Sequence, residues 1–222
     1  MPRVSSVVGI AAALTTISFM GSPAWAAMCV SAPVATYTAA GFSCNIDASP
    51  ITFSNFNVTT IGNVLLGDFS PFILGNEFGL TLNYAATASG TNQSSDVAWT
   101  YSVSGAPSLL ADAFAQLTGT VTGTGVATVS EQLLNQQGQT IGSIDLTAPN
   151  TSQTITFTPT QSLFVLKDQQ NFSGTEGSSM TSLLTNAFSP VPGPIAGAGL
   201  PGLVAACGGF LALARRRRRQ FA

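Results

Sequence analysis

The chain has 222 residues with nine acidic and seven basic side chains, no histidine and a formal net charge of −2. Six of the basic residues are Arg3 and five arginines near the C-terminus, so the region between them has nine acidic residues and only Lys167, a net charge of −8. A domain so poor in cations cannot neutralise phosphate groups, which excludes nucleic acid and anionic lipid as partners. The absence of histidine excludes Ser-His-Asp and Cys-His catalysis and any histidine-ligated metal.

The first 26 residues are organised like a secretory signal peptide. Arg3 supplies a positive start, residues 4–20 are apolar and uncharged, and Ala24-Trp25-Ala26 has the small-x-small pattern that a signal peptidase requires. We therefore predict that signal peptidase cuts after Ala26, leaving Ala27 as the first residue of the exported protein. An uncleaved N-terminal anchor is the alternative.

Cysteine use points to the same compartment. Cys29 and Cys44 are the two cysteines of the region that would be exported, and an even pair in an exported protein predicts a disulfide. Two free thiols are the alternative. The third cysteine, Cys207, lies in an apolar C-terminal run, where it is interpreted as a small residue buried in the membrane.

The exported region, residues 27–189, is predicted to be built from strands. Residues 51–56, 78–84 and 97–103 alternate apolar and polar side chains, which is typical of half-buried strands. Residues 140–146, 153–157 and 162–166 add three strands, and residues 180–188 form a last strand or edge piece. Residues 117–132 are rich in Thr, Gly and Val, which favours a bulged strand or a bent hairpin.

One segment, residues 108–117, has helical spacing but could equally be a short strand containing Asp112. Seven or eight strands without intervening helices favour an all-β fold, an antiparallel β-sandwich of jelly-roll or immunoglobulin-like type. A small barrel is the alternative. Trp99 and Tyr101 share one face of their strand with Val97 and Val103, so this row is predicted to face the core.

The C-terminal region, residues 190–222, is organised as a membrane address. Pro192-Gly193-Pro194 precedes the uncharged residues 195–214, which are long enough to form a transmembrane helix across the inner membrane. A cationic stop follows, and the positive-inside rule places it in the cytoplasm with the β-domain outside. The stop consists of Arg215, Arg216, Arg217, Arg218 and Arg219.

This order of proline motif, apolar helix and arginine cluster resembles the PEP-CTERM sorting signal of Gram-negative bacteria. The resemblance implies an exosortase-like enzyme that removes the tail, association with exopolysaccharide or biofilm, and a final location at the cell surface or outside it. Gly193 stands where that family has glutamate. A permanent membrane anchor is the alternative to a removable tail.

The β-domain also resembles a recurrent type of PEP-CTERM protein over most of residues 29–188. The similarity lies in the spacing from Cys29 through Tyr37 to Gly41-Phe42-Ser43-Cys44, and in residues 51–56 and 96–103. This type implies no biochemical activity.

Candidate catalytic groups are few, and we predict no catalytic residue and no enzyme activity. Lys167 with Asp168 is interpreted as a solvated turn. Asp96, Asp112 and Glu131 lie on or near predicted strands and could support glycoside hydrolysis if two of them converged. The favoured interpretation is scattered surface carboxylates. No cofactor is predicted; calcium is a weak alternative, because carboxylates are present but no DxDxDG loop is.

The sequence thus predicts an exported cell-surface or matrix protein with a structural role in association with extracellular polysaccharide. A carbohydrate-binding module is the alternative, because sugar faces stack on exposed aromatic rings. The candidate rings are Trp99, Tyr101, Tyr37 and Tyr84.

Overall fold

The computed structural model describes residues 26–46, 49–148 and 151–191. This part of the chain contains fourteen strands and one short helix. In chain order they are β1 (Ala27–Met28), β2 (Ala32–Pro33), α1 (Val34–Tyr37), β3 (Ser43–Asn45), β4 (Thr52–Ile61), β5 (Asn63–Leu74), β6 (Glu77–Ser89), β7 (Ser94–Ser104), β8 (Leu109–Thr122), β9 (Val126–Leu134), β10 (Thr140–Thr147), β11 (Ser152–Thr160), β12 (Ser162–Phe172), β13 (Ser178–Phe188) and β14 (Pro190–Val191).

The strands form two sheets. Sheet A has the order β1-β3-β4-β7-β12-β9-β10, and sheet B has the order β11-β8-β13-β6-β5-β2, with β14 also paired to β8. The pairs are antiparallel except β1 with β3. Most consecutive long strands lie in opposite sheets, so the chain crosses repeatedly between the two layers. The predicted β-sandwich is confirmed at this level.

The core lies between the sheets and follows the period of two. Val97, Trp99, Tyr101 and Val103 of β7 are all buried, which confirms that this row faces inward. Sheet B meets it with apolar side chains on the inner faces of its central strands, including Leu80, Leu82, Leu110, Leu117, Leu184 and Phe188. Burying both inner faces against each other is what holds a two-sheet fold together.

The predicted disulfide is present. Cys29 and Cys44 are bonded, with a Cα–Cα distance of 4.9 Å and a sequence separation of 15. The bond ties the chain after β1 to the middle of β3. It closes a loop that contains Tyr37, whose buried ring packs 4.8 Å from the ring of Phe69 between centroids. The N-terminal segment is therefore attached to the sandwich both covalently and by aromatic packing.

The ambiguous segment, residues 108–117, is a strand and not a helix. It begins β8, where Ala113, Ala115 and Leu117 alternate toward the core and the backbone pairs with β13 and β11 on its two sides. The helical spacing was misleading because four apolar residues in ten positions fit either period. The ladder bonds available from two neighbouring strands select the extended form.

The sequence patterns missed β5. In this strand Leu65, Leu66, Ile73 and Leu74 are exposed, and Gly67 interrupts the sequence of apolar residues. This strand pairs along its length with β6 but meets only the two-residue strand β2 on its other side. A strand near a sheet edge needs no regular apolar row, so it leaves a weak periodic signal.

Several predicted features lie outside the described residues. These are Ala24 of the signal peptide, the motif Pro192-Gly193-Pro194, the apolar residues 195–214 and the arginines at residues 215–219. Ala26 and Ala27 open the described part. Within the described residues, no helix has the length and apolar character needed to cross a membrane.

Candidate functional site

The aromatic rings proposed for sugar stacking are internal. Trp99 and Tyr101 have no exposed surface, Tyr37 is 1% exposed and Tyr84 is 6% exposed. The rings of Trp99 and Tyr101 stack with centroids 4.7 Å apart inside the sandwich. A sugar cannot reach these faces, so they do not form a carbohydrate platform.

The three carboxylates considered for glycoside hydrolysis lie in three different places. Asp96 is on the outer face of sheet A, and Asp112 is in sheet B, where it accepts a hydrogen bond of 2.8 Å from the backbone N–H of Ser189. Glu131 is fully buried between the sheets. The structure therefore does not assemble two of them around one cleft.

The interpretation of Lys167 and Glu131 as surface residues is wrong. Lys167 lies in the middle of β12, directly opposite Glu131 of β9 and Trp99 of β7. Its Nζ is 2.6 Å from Glu131 Oε2, and neither side chain has exposed surface. The reason is parity: Leu163, Val165 and Lys167 alternate toward the core, while Asp168 points outward. This alternation is visible in the sequence and could have placed Lys167 in the core.

The buried pair belongs to a larger set of polar side chains, which we call the polar interior. All are buried, and they come from β9, β12 and β13: Glu131, Lys167, Gln169, Asn171, Thr181 and Asn186. Sequence reasoning found none of the amides, since Asn and Gln are ordinarily exposed. Only the alternation along β12, continued beyond Val165, indicated that Gln169 and Asn171 face inward.

Hydrogen bonds across the polar interior join the two sheets. Asn171 Nδ2 donates to the carbonyl oxygen of Ala86 at 3.1 Å and to Thr181 Oγ1 at 3.0 Å. Thr181 Oγ1 in turn donates to Gln169 Oε1 at 3.1 Å. These bonds offset the cost of removing polar groups from water, which is about 1–3 kcal/mol for each group left unbonded.

Tyr101 and Asn186 extend the polar interior toward β8. The Tyr101 hydroxyl donates to Asn186 Oδ1, and Asn186 Nδ2 donates to the carbonyl oxygen of Phe114 at 2.7 Å. Burial, and secondly the charge of Glu131, raises the pKa of Tyr101 well above its ordinary value. Tyr101 therefore stays protonated and remains a donor at any physiological pH.

The outer face of sheet A carries a row of three shallow depressions along β12, which we call the outer groove. Its centre is bordered by Ala98, Thr100, Gln132, Leu166 and Asp168. One end contains Phe172 and Asp96, and the other contains Phe164 and Gln136. The lining is mostly small and uncharged, with two aromatic rings and an acidic pair.

Asp96 and Asp168 form that acidic pair on neighbouring strands. Partial burial, followed by the charge and hydrogen bond of Asp168, raises the pKa of Asp96 to about 6. Gln170 Nε2 donates a hydrogen bond of 2.8 Å to Asp168 Oδ2. Among the described residues no cluster of three or more carboxylate or thiol groups could hold a metal ion. Calcium binding stays a prediction from composition.

No family model matches the chain, and no curated protein matches it. Among solved structures it is similar to the enzymatically active domain of bacteriophage CBA120 tailspike protein 4, at 13% identity and a TM-score of 0.32 over 62% of this chain and 20% of that one. It is also similar to a family 11 carbohydrate-binding module from Clostridium thermocellum, solved with a mixed-linked tetrasaccharide. The identity is 8% and the TM-score is 0.27, over 63% of this chain and 91% of that one.

A third similarity is to a glycosylation-associated protein complex from Streptococcus agalactiae, at 9% identity and a TM-score of 0.29 over 60% of this chain and 26% of that one. Similarities this weak do not assign the chain to a family. Its own strand pairing and covalent bond define the class: a disulfide-bonded, largely antiparallel β-sandwich with a polar interior.

Proposed function

We propose that the chain is an exported protein of the cell surface or extracellular matrix, with a structural role in association with extracellular polysaccharide. The observation that carries the proposal is the Cys29–Cys44 disulfide, buried and formed within the domain. Such bonds persist in oxidising compartments outside the cytoplasm. The signal-peptide pattern of residues 1–26 supports the same destination.

The route to the surface rests on the C-terminal tail. An exosortase-like enzyme would act at Pro192-Gly193-Pro194 after the apolar residues 195–214 have entered the inner membrane. The β-domain is strongly acidic and its one lysine is buried, so the charged side chains on its described surface are acidic. Such a surface suits a hydrated polysaccharide matrix and disfavours adsorption to anionic membranes.

Isolating the protein from its native cell tests export and sorting. Intact-mass measurement and sequencing of the terminal peptides should find Ala27 at the start and an end within the proline-rich segment. Because both cuts are predicted independently, each end is read separately. Retention of Arg215 to Arg219 would contradict the removable tail, and retention of residues 1–26 would contradict the cleaved signal.

The outer groove favours a second candidate function, a carbohydrate-binding module. Phe172 is 43% exposed at one end of the groove, and amide side chains of Gln132 and Gln170 lie along it. An exposed ring beside amide groups can stack on a sugar and hydrogen-bond its hydroxyls.

Titration of the purified exported protein with polysaccharide released from the same cells separates the two functions. A structural protein is expected to show no saturable affinity. If binding saturates and Phe172→Ala weakens it about fivefold to tenfold, the carbohydrate-binding function is supported. Met180→Ala is the matched control, because Met180 is an apolar residue exposed to a similar extent on sheet B. Binding that Met180→Ala weakens equally would contradict a site in the groove.

A further inference from the structure

The amine of Lys167 crosses the core to the opposite sheet. Its Nζ lies 2.6 Å from Glu131 Oε2 and 3.4 Å from the carbonyl oxygen of Thr185, the residue directly before Asn186. The ring of Trp99 stands 5.9 Å away, from Nζ to the centroid. A lysine of sheet A thus ends beside the backbone of β13 in sheet B, in a part of the core closed to solvent.

The side chain of Asn186 points into the same part of the core, and hydrogen bonds fix the orientation of its carboxamide. It has no exposed surface, and its neighbours Leu184 and Phe188 on the same face of β13 also point into the core. Tyr101 donates to Oδ1 and Phe114 accepts from Nδ2, so the plane of the amide is set by both atoms. A donor on Oδ1 withdraws electron density from Cγ and stabilises the oxygen when a nucleophile adds there.

We propose that Lys167 and Asn186 form an intramolecular isopeptide bond that joins the two sheets, with Glu131 carrying the protons. The Nζ amine adds to Cγ of Asn186, and the Cγ–Nδ2 bond then breaks. Glu131 accepts a proton from Nζ and returns it to the departing nitrogen, which leaves as ammonia. The atoms balance without any oxidant: amine plus carboxamide give a secondary amide plus ammonia.

The surroundings provide the protonation states that this reaction needs. Burial lowers the pKa of Lys167, against the opposing effect of Glu131, and so favours the neutral amine that can attack. The contact between Nζ and Glu131 Oε2 gives the proton an acceptor at hydrogen-bond distance. The buried aromatic wall of Trp99 and Tyr101 excludes the water that would otherwise compete as nucleophile.

The other buried amides are less suitable partners. Gln169 and Asn171 lie on the same strand as Lys167, and both bond to Thr181 on β13. Thr181 is four residues before Thr185, whose carbonyl oxygen Lys167 reaches, and an irregularity in the strand pairing lies between the two residues. Asn186 is the buried carboxamide next to that carbonyl group.

The composition of the chain supplies a sharp test. Between Arg3 and Arg215 the sequence has one trypsin site, after Lys167, and trypsin does not cut after an acylated lysine. The full-length protein is purified, reduced, denatured and digested. We expect residues 27–191 to stay in one piece whose mass is about 17 Da below the sequence value, the loss of one ammonia. Cuts in the C-terminal arginines only trim the tail.

Two variants assign the bond. Asn186→Ala should be cut after Lys167 and show the full sequence mass. Asn171→Ala is the matched control, because it removes another buried amide that the reaction does not use, and it should stay uncut. Cleavage of the wild-type protein at Lys167 with full mass would overturn the proposal. So would a loss of about 18 Da mapped to Lys167 and Glu131, which would mean direct condensation with loss of water.

Discussion

The variant Glu131→Leu is expected to be less stable than the double variant Glu131→Leu with Lys167→Met, by about 3–5 kcal/mol in the free energy of unfolding at pH 7. In the single variant the Lys167 amine remains between the sheets without the carboxylate that lies 2.6 Å from it in the native protein. In the double variant a methionine of similar length fills the space beside Trp99, where its sulfur can contact the ring. Urea denaturation of both variants measures the difference.

This comparison isolates the charge. Neither variant has Glu131, so neither can form the proposed bond to Asn186, and any difference reflects the lone amine. The part of this cost that comes from the charge has an upper limit, because the buried amine can lose its proton instead of staying charged. Neutralising a lysine of ordinary pKa at pH 7 costs about 1.4 kcal/mol for each pH unit below 10.4, or about 4.6 kcal/mol.

The same difference should shrink as the pH rises. Burial lowers the pKa of Lys167 in the folded protein, so below pH 10.4 the unfolded chain of the single variant binds more protons than the folded chain. Stability of the single variant therefore increases with pH, and its deficit should fall to about 2 kcal/mol at pH 9. The double variant lacks the group and serves as the control. A difference below 1 kcal/mol at pH 7, or one independent of pH, would contradict a buried, ionisable Lys167.

We expect the free energy of unfolding of the double variant Cys29→Ala with Cys44→Ala to be about 3 kcal/mol lower than that of the oxidised wild type. The bond closes a loop with a sequence separation of 15, and cutting it returns conformational freedom to the unfolded chain. The loop contains α1 and Tyr37, so the loss should appear as earlier unfolding of the N-terminal segment. Denaturation followed by both tryptophan fluorescence and circular dichroism measures it.

Reduced wild-type protein is the matched control for the cysteine variant, because it lacks the cross-link but keeps both sulfur atoms. Its stability should lie close to that of the variant, and reductant should leave the variant unchanged. Both cysteines are buried, so reduction of the wild type under native conditions should be slow and should accelerate with denaturant. Equal stability of oxidised protein and variant would mean that Tyr37 packing alone holds the segment.

Much of the fold was predictable because strand periodicity is a local property. The alternation in residues 97–103 placed Trp99 and Tyr101 in the core correctly, and the even pair Cys29 and Cys44 left one pairing within the exported region. Where local patterns were ambiguous or weak, prediction failed. Residues 108–117 fitted two periods, and β5 combined exposed apolar residues with Gly67 near a sheet edge.

The candidate site was less accessible from the sequence. Alternation along β12 could have placed Lys167 in the core. A lone lysine next to an aspartate is ordinarily solvated, however, and the prediction of a solvated Lys167 made on that ground is wrong. Which residues meet it depended on strand pairing. Glu131 precedes Lys167 by 36 positions and Asn186 follows it by 19, and no local pattern relates them.

The amino-acid sequence by itself determined an all-β domain and a disulfide, because both depend on residue types and spacings that are local in the chain; the two addressing segments at its ends stay predictions of the same local kind. Only the tertiary structure decided that one amine, one carboxylate and one carboxamide share the interior. The physical reason is the crossing of the chain between sheets: β9 and β12 pair in sheet A, β13 lies opposite in sheet B, and packing these layers excludes water from the polar groups between them.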